Sequence, residues 1–363
     1  MERAPEFQCG NGSRLEPIGQ LLAALSAADD SVSRLDELTR LPLGEGLIAR
    51  LEFQEACAWS WNRGELVHLE DLVLHDAGLD IRTPDQELAR THSVLRRWRR
   101  TGRLKAEELL SAKAVTQLIN PRGVGRSKAL GDLMTAAGVG ASTMRGGPRL
   151  LASFGEGLIE TTTEIDALVA RAEAVSTDDD DEALEAWFAL EADVPRAWPA
   201  LLRCAVLLEA WVTIDPLPRH SHMGVVLVNA LLERAGRLRH HRILVEMGRR
   251  RLERDLRRPV GQSGLRRTVW QLQAIAAAEA LGLAEYDRLS LARQVVSRHL
   301  VGRRSSSHLG EAIELCSERP IVTAGMIAER CKVSQQAARG LVAQLGSGIV
   351  EVSGRERFRA WRL

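Results

Sequence analysis

Apolar residues recur at three- and four-residue steps through most of the chain, and this period limits what it can fold into. Over residues 17–41 the steps fall on Ile18, Leu21, Leu22 and Leu25, then on Leu35, Leu38 and Leu41. That is the stripe of an amphipathic helix, and it predicts a helical hairpin or a broken helix that stops at Pro42. The same period carries 47–59, 85–99, 105–118, 163–174 and 182–190. The aromatic residues that sandwiches and barrels need are scarce, with 8 Trp, 5 Phe and 1 Tyr in 363 residues. A mainly α fold is therefore expected and an all-β fold is excluded. With 45% hydrophobic and 27% charged residues the chain can bury a core, and its length predicts more than one domain.

The most apolar stretches, 201–212 and 223–232, are interrupted by Arg203, Glu209 and Asn229. Neither reaches the roughly 20 apolar residues of a membrane span. Met1-Glu2-Arg3-Ala4-Pro5-Glu6 lacks the apolar run of a secretion signal. The expectation is a soluble cytoplasmic protein with no membrane partner. Cys9, Cys57, Cys204, Cys316 and Cys331 are far apart and odd in number, so reduced core thiols are expected rather than disulfides or structural zinc. His220-x-His222, with His240-His241 downstream, lacks acidic or cysteine companions. No metal and no cofactor are expected.

Nine of the thirty glycines fall within 121–157, which reads as an insertion between helices. Inside it, Gly123-Val124-Gly125-Arg126-Ser127-Lys128 has the look of a phosphate loop but lacks the Gly directly before Lys and a strand ahead of it. Charge is segregated although 49 basic residues nearly cancel 48 acidic ones. Residues 173–193 hold nine acids and no base, whereas 234–267 hold twelve arginines against three acids. The basic stretch reads as the wet face of an amphipathic helix, with phosphate or acidic-partner binding as the other reading. The Gly, Arg and Ser content of 301–307 marks a linker. The domains expected are an N-terminal helical segment at 1–44, a helical domain at 45–300 and a C-terminal module at 308–363.

That module carries the most specific pattern. One helix is predicted over 309–316, a second from its N-cap Thr323 to Cys331, and a third from 335 to 345 after its cap Ser334. The turn Lys332-Val333 and the small Ala328 fit two helices in close approach, with Ala338, Leu341, Val342 and Leu345 inward. Gln335, Gln336, Arg339 and Ala343 then face outward. Gln can pair with adenine and Arg with guanine in the major groove, and Ser334 with its neighbouring N–H groups suits a phosphate. After Gly346 the period shortens to two. Residues 349–352, a Ser353-Gly354 turn and 355–361 read as a hairpin with Arg355, Arg357 and Arg359 on one face. The module resembles the winged helix-turn-helix domains of bacterial regulators, which implies double-stranded DNA as partner.

In the larger domain, residues 55–74 resemble the N-terminal helical region of Fic-family proteins. Pro199-Ala200-Leu201 with Trp211-Val212-Thr213-Ile214 resembles the helix before the Fic signature, and 224–236 the helix after it. The signature, His-Pro-Phe-x-Asp-Gly-Asn-Gly-Arg-x-Gly-Arg, serves to transfer a nucleotide's phosphoryl-linked moiety to a hydroxyl. Here Asp215 stands for the base, Pro216 is retained, Arg219 replaces the metal ligand, and His220 and His222 replace phosphate-binding glycines ahead of Gly224. Arg63 occupies the place of the autoinhibitory Glu. Without a metal ligand and a glycine nest a triphosphate is poorly held, so the resemblance implies a Fic-like helical bundle without catalysis. The whole layout resembles an uncharacterised, often plasmid-borne alphaproteobacterial family that joins a Fic-like region to a helix-turn-helix.

The function expected is a sequence-specific DNA-binding protein, a transcriptional regulator rather than an enzyme. Its helical body would dimerise, as paired half-sites require, or sense a partner. Two rivals stand beside it: a divergent nucleotidyl or phosphoryl transferase using Asp215, and a protein-docking partner of a toxin-like system.

Overall fold

The computed structural model describes residues 12–80, 83–119, 150–253, 257–300, 308–354 and 359–363. Among these residues the protein is mainly helical. The N-terminal part forms α1 (Gly12–Thr39), α2 (Gly44–Asn62), α3 (Leu69–Asp76), α4 (Gln86–Thr101) and α5 (Ala112–Ile119). The central part forms α6 (Leu150–Glu173), α7 (Asp180–Asp193), α8 (Ala200–Ile214), α9 (Met223–Arg234), α10 (Glu246–Leu252) and the long α11 (Gly264–Ser297). The C-terminal part forms α12 (Leu309–Glu318), β1 (Val322–Thr323), α13 (Ala324–Cys331), α14 (Gln335–Leu345), β2 (Val350–Glu351) and β3 (Ala360–Arg362).

The stretch read as a hairpin or broken helix is one continuous helix, α1. Between its two leucine groups, Ala28 and Val32 are fully buried and carry the stripe through Asp29, Asp30, Ser31 and Ser33. Ser31 and Ser33 donate their hydroxyls to the carbonyls of Ala27 and Asp29, one turn back, so these polar side chains accommodate the helix instead of breaking it. Within 105–118, by contrast, a short 3₁₀ turn at Ala106–Glu108 comes first, and the α-helix starts only at Ala112. The glycine-rich stretch is helical from Leu150 onward, and its phosphate-loop-like residues 123–128 lie outside the described residues.

Helix α11 is the central post and packs against α1, α6, α8 and α10. The main core gathers Trp187, Leu207, Leu227, Leu272 and their neighbours. Three buried carboxylates tie the segment 239–247 to this post and to α1 and α2. Asp36 accepts the backbone N–H groups of Arg239, His240 and His241 at 2.9–3.3 Å. Glu279 accepts the N–H of Leu244 at 2.8 Å and lies 2.9 Å from Nε2 of His241. Glu55 accepts the N–H groups of Val245, Glu246 and Met247 at the start of α10. A buried carboxylate is tolerated because several donors replace its lost water.

Much of the arginine-rich stretch is used inside the fold, which narrows its reading as a wet face or phosphate patch. Arg258 and Arg267 converge on the fully buried Glu209, and Arg267 also meets Glu173. Arg234 pairs with Glu191 and Arg237 with Asp29. The acidic and basic stretches therefore neutralise each other in space at Glu173–Arg267 and Glu191–Arg234.

The C-terminal part shares a core with the body, in which Leu43, Leu289 and Val296 meet Leu309, Ile313 and Leu345. Arg50 fastens the join. Buried in α2, it donates to the carbonyls of Cys316, Ser317 and Arg319, each at 2.8 Å, at the end of α12. Burial lowers its pKa to about 10, with Glu285 at 3.9 Å opposing the shift. Gly46 makes the approach feasible, since a Cβ there would stand 1.9 Å from the carbonyl oxygen of Ser317. Among the described residues no helix is long and apolar enough to cross a membrane.

Candidate nucleic-acid interface

Helix α13 starts where Thr323 Oγ1 accepts the N–H of Met326 and ends on Lys332, which adopts a left-handed conformation with φ 52°. The N–H groups of Lys332 and Val333 return to the carbonyls of Glu329 and Ala328. This closes the helix and reverses the chain within two residues. Ser334 then opens α14 by accepting the N–H of Ala337 at 3.2 Å. Ala338, Leu341, Val342 and Leu345 are buried against α12 and α13. The two-helix geometry is thus set by two caps, one turn and one apolar stripe.

The opposite face of α14 presents Gln335, Gln336, Arg339 and Ala343, all exposed. Among the described residues no hydrogen bond or ion pair engages the side chains of Gln335, Gln336 or Arg339. Gly340 lies on the same face with open space where a Cβ would stand. Long polar side chains flanking a low-relief strip let a helix approach another surface closely while its donors still reach outward. Lys332 and Ser334 are exposed at the turn that begins this face. Thr323 is half-buried and its hydroxyl is occupied by the cap.

The sheet has strand order β1-β3-β2 and both pairings are antiparallel. Val350 stands opposite Arg362 and Glu351 opposite Trp361. This register corrects the turn expected at Ser353-Gly354, because a tight turn there would pair 352 with 355, whereas Val352 donates to the carbonyl of Ala360. Burial of Ala360 and Trp361 sets the register. Arg359 is exposed, but its guanidinium pairs with Glu351 at 3.1 Å. Arg355 and Arg357 lie outside the described residues.

The loop between α8 and α9 holds the other sequence candidates. Asp215 caps α8 in a left-handed conformation with φ 48°. Its carboxyl is shifted upward by partial burial, which Arg63 opposes. Pro216 is buried and Arg219 exposed. Arg97 donates to Nδ1 of His220 at 2.7 Å and lies 3.4 Å from Nε2 of the buried His222. Burial, and then the adjoining Arg97, holds His222 well below its ordinary pKa. Gly224 serves helix packing, since a Cβ there would stand 2.5 Å from the indole of Trp211. Arg63 reaches the same loop, donating to Ser221 Oγ at 2.8 Å and to the carbonyl of Pro218 at 2.9 Å.

Sequence reasoning missed Arg50 and Arg97. Arg50 alone left a trace, a cation set in the apolar stripe of Leu47 and Leu51.

Residues 309–363 match the family described as "HTH DNA binding domain". Residues 176–301 match the family described as "Protein of unknown function (DUF1612)". The uncharacterized protein y4cF of Sinorhizobium fredii (strain NBRC 101917 / NGR234) is 35% identical over 370 residues, covering 91% of this chain and 93% of its own length. The helix-turn-helix geometry and this likeness along nearly the whole of both chains place the protein in the family of y4cF, here with a DUF1612 region followed by a C-terminal HTH DNA-binding domain.

Proposed function

We propose that the protein is a sequence-specific DNA-binding transcriptional regulator that reads the major groove with α14. The observation that carries the reading is the exposed face of Gln335, Gln336 and Arg339, free of internal partners among the described residues, within a region that matches a DNA-binding family. Lys332 and Ser334 would hold the phosphates beside the groove, and the β2–β3 hairpin with Arg359, Arg355 and Arg357 would act as a wing. A homodimer would supply two half-sites. The test is a gel shift on the region upstream of the protein's own gene, with Arg339→Ala and Gln336→Ala beside wild type. Each base-edge contact is worth about 1–3 kcal/mol of discrimination, so each variant is expected to bind about tenfold or more weakly. Absence of sequence-dependent binding at physiological salt contradicts the reading.

For the helical body we propose a Fic-like scaffold without transfer chemistry. Arg63 touching the 215–222 loop supports the likeness, because the resemblance sets that position against the signature. Arg97 beside His220 and His222 supports the loss of function, because a cation stands against the imidazoles. One observation favours transfer instead. Asp215, with its raised pKa, lines a cavity of about 250 Å³ together with Arg63 and Arg258. Incubation with labelled ATP and magnesium separates the two readings, and incorporation abolished by Asp215→Ala would establish transfer.

A further inference from the structure

Helix α12 is preceded by His308, whose side chain makes no capping bond to the helix. Its ring turns instead to Glu311, with Nδ1 3.4 Å from the carboxylate oxygen Oε2. Positions three apart share one side of a helix, so both side chains stand together at its exposed start. Cys331 reaches them from α13, as the last residue of that helix. Expected as a core thiol, it is 2% exposed, and its Sγ lies 3.8 Å from the carbonyl oxygen of His308. Leu309 and Ile327, both fully buried in one core, hold α12 and α13 together at this junction. One ring nitrogen, one carboxylate oxygen and one sulfur thereby come within 4.8 Å of one another.

This set of donors is selective. Magnesium and calcium bind through oxygen, whereas imidazole, thiolate and carboxylate together suit zinc(II) and its borderline neighbours. Zinc bonds of about 2.0–2.3 Å in a tetrahedron set the donor atoms about 3.3–3.8 Å apart. His308 and Glu311 already stand at that spacing, and a contraction of at most roughly 1 Å brings in Cys331. The histidine pair that the sequence puts forward differs. His220 and His222 face the guanidinium of Arg97, a cation where a metal would have to sit.

We propose that His308, Glu311 and Cys331 bind one zinc(II) ion, with water as the fourth ligand. The thiol proton would pass to solvent as the thiolate bonds the metal, and His308 would bind as the neutral ring. The ion would tie the start of α12 to the last turn of α13, next to Lys332 and Val333, where the chain reverses into α14. The site lies within the DNA-binding domain, but its metal chemistry does not rest on the regulator reading above.

The test titrates the full-length, tag-free protein, reduced and stripped of metal by a chelator, with cobalt(II) as the probe, followed by absorbance. Expected is a one-to-one end point. A thiolate-to-cobalt charge-transfer band appears in the near ultraviolet beside the intense visible bands of a tetrahedral site, and zinc(II) removes both. Cys331→Ser abolishes the charge-transfer band, His308→Ala and Glu311→Gln each weaken binding by about tenfold or more, and Cys9→Ser binds as wild type. Zinc(II) also raises the thermal midpoint of the wild type but not of His308→Ala. Far-UV circular dichroism confirms each fold. Since His308 and Glu311 are exposed, their variants decide the matter even if Cys331→Ser misfolds. Absence of the charge-transfer band, a band that survives in folded Cys331→Ser, or wild-type affinity in His308→Ala or Glu311→Gln overturns the proposal and leaves an adventitious ion only. The gel shift is read separately, so failure of the DNA-binding reading leaves the titration standing.

Discussion

The outer face of α14 and the loop between α8 and α9 are built from similar binding chemistry, and the fold treats them in opposite ways. On α14, Gln335, Gln336 and Arg339 project from a well-capped helix with no internal partner among the described residues. In the loop, His222 is buried, His220 takes a hydrogen bond from Arg97, and Gly224 is filled by the indole of Trp211. The arginine-rich stretch makes the same point, since Arg258 and Arg267 end on Glu209. Residue type nominates a site, but its unspent bonding capacity decides whether a ligand can use it.

The first way to break this contrast is to detach the α14 face from its mount. Arg50→Met leaves buried carbonyls of α12 without their donor, and each orphaned group costs about 1–3 kcal/mol. A loss of about 3 kcal/mol is expected in urea unfolding, with the C-terminal part melting first. A loss near zero would show that Arg50 does not fasten the join. The second substitution fills the close contact in the loop. Gly224→Ala sets a methyl against Trp211, and overpacking of this kind costs about 1–3 kcal/mol. Thermal unfolding should show it, while DNA binding below the transition stays unchanged.

Acid provides the third probe. His222 has a lowered pKa in the fold, so the unfolded chain takes up its proton first as pH falls below 6.5. Its contribution to stability is therefore complete above that pH and is lost below it, at up to about 1.4 kcal/mol per pH unit. Glu55 acts oppositely. Burial and the neighbouring Glu246 raise its pKa to about 7, so stability from this group grows as pH falls from about 7 toward 4.5. The difference between wild type and His222→Gln isolates the histidine, and the variant should gain relative stability between pH 7 and pH 5. Parallel profiles would contradict the assignment. The smallest effect is expected at Ser334→Ala, where loss of a helix cap costs about 1 kcal/mol, measured by thermal unfolding.

Local devices were legible in the chain, and distant ones were not. Thr323 and Ser334 announce their helices because a cap needs only the next three residues, and the stripe Ala338, Leu341, Val342 and Leu345 fixes the inward face of α14. The turn of the hairpin was misplaced because Gly354 suits a tight turn, while burial of Trp361 and Ala360 sets the pairing. Arg50 meets partners more than 260 residues away, and no local pattern encodes such a contact. Trp61 gives a second case: it sits in the largely buried α2, yet it is 40% exposed with the guanidinium of Arg250 4.1 Å from its ring, a contact made across the fold.

The most direct measurement is the affinity of the full-length protein for duplexes from the region upstream of its own gene, at physiological salt, for wild type and Arg339→Ala. Sequence-dependent binding is expected, weakening about tenfold or more in the variant, with thermal stability unchanged. Equal affinity for all duplexes, or equal affinity of the two proteins, would contradict it.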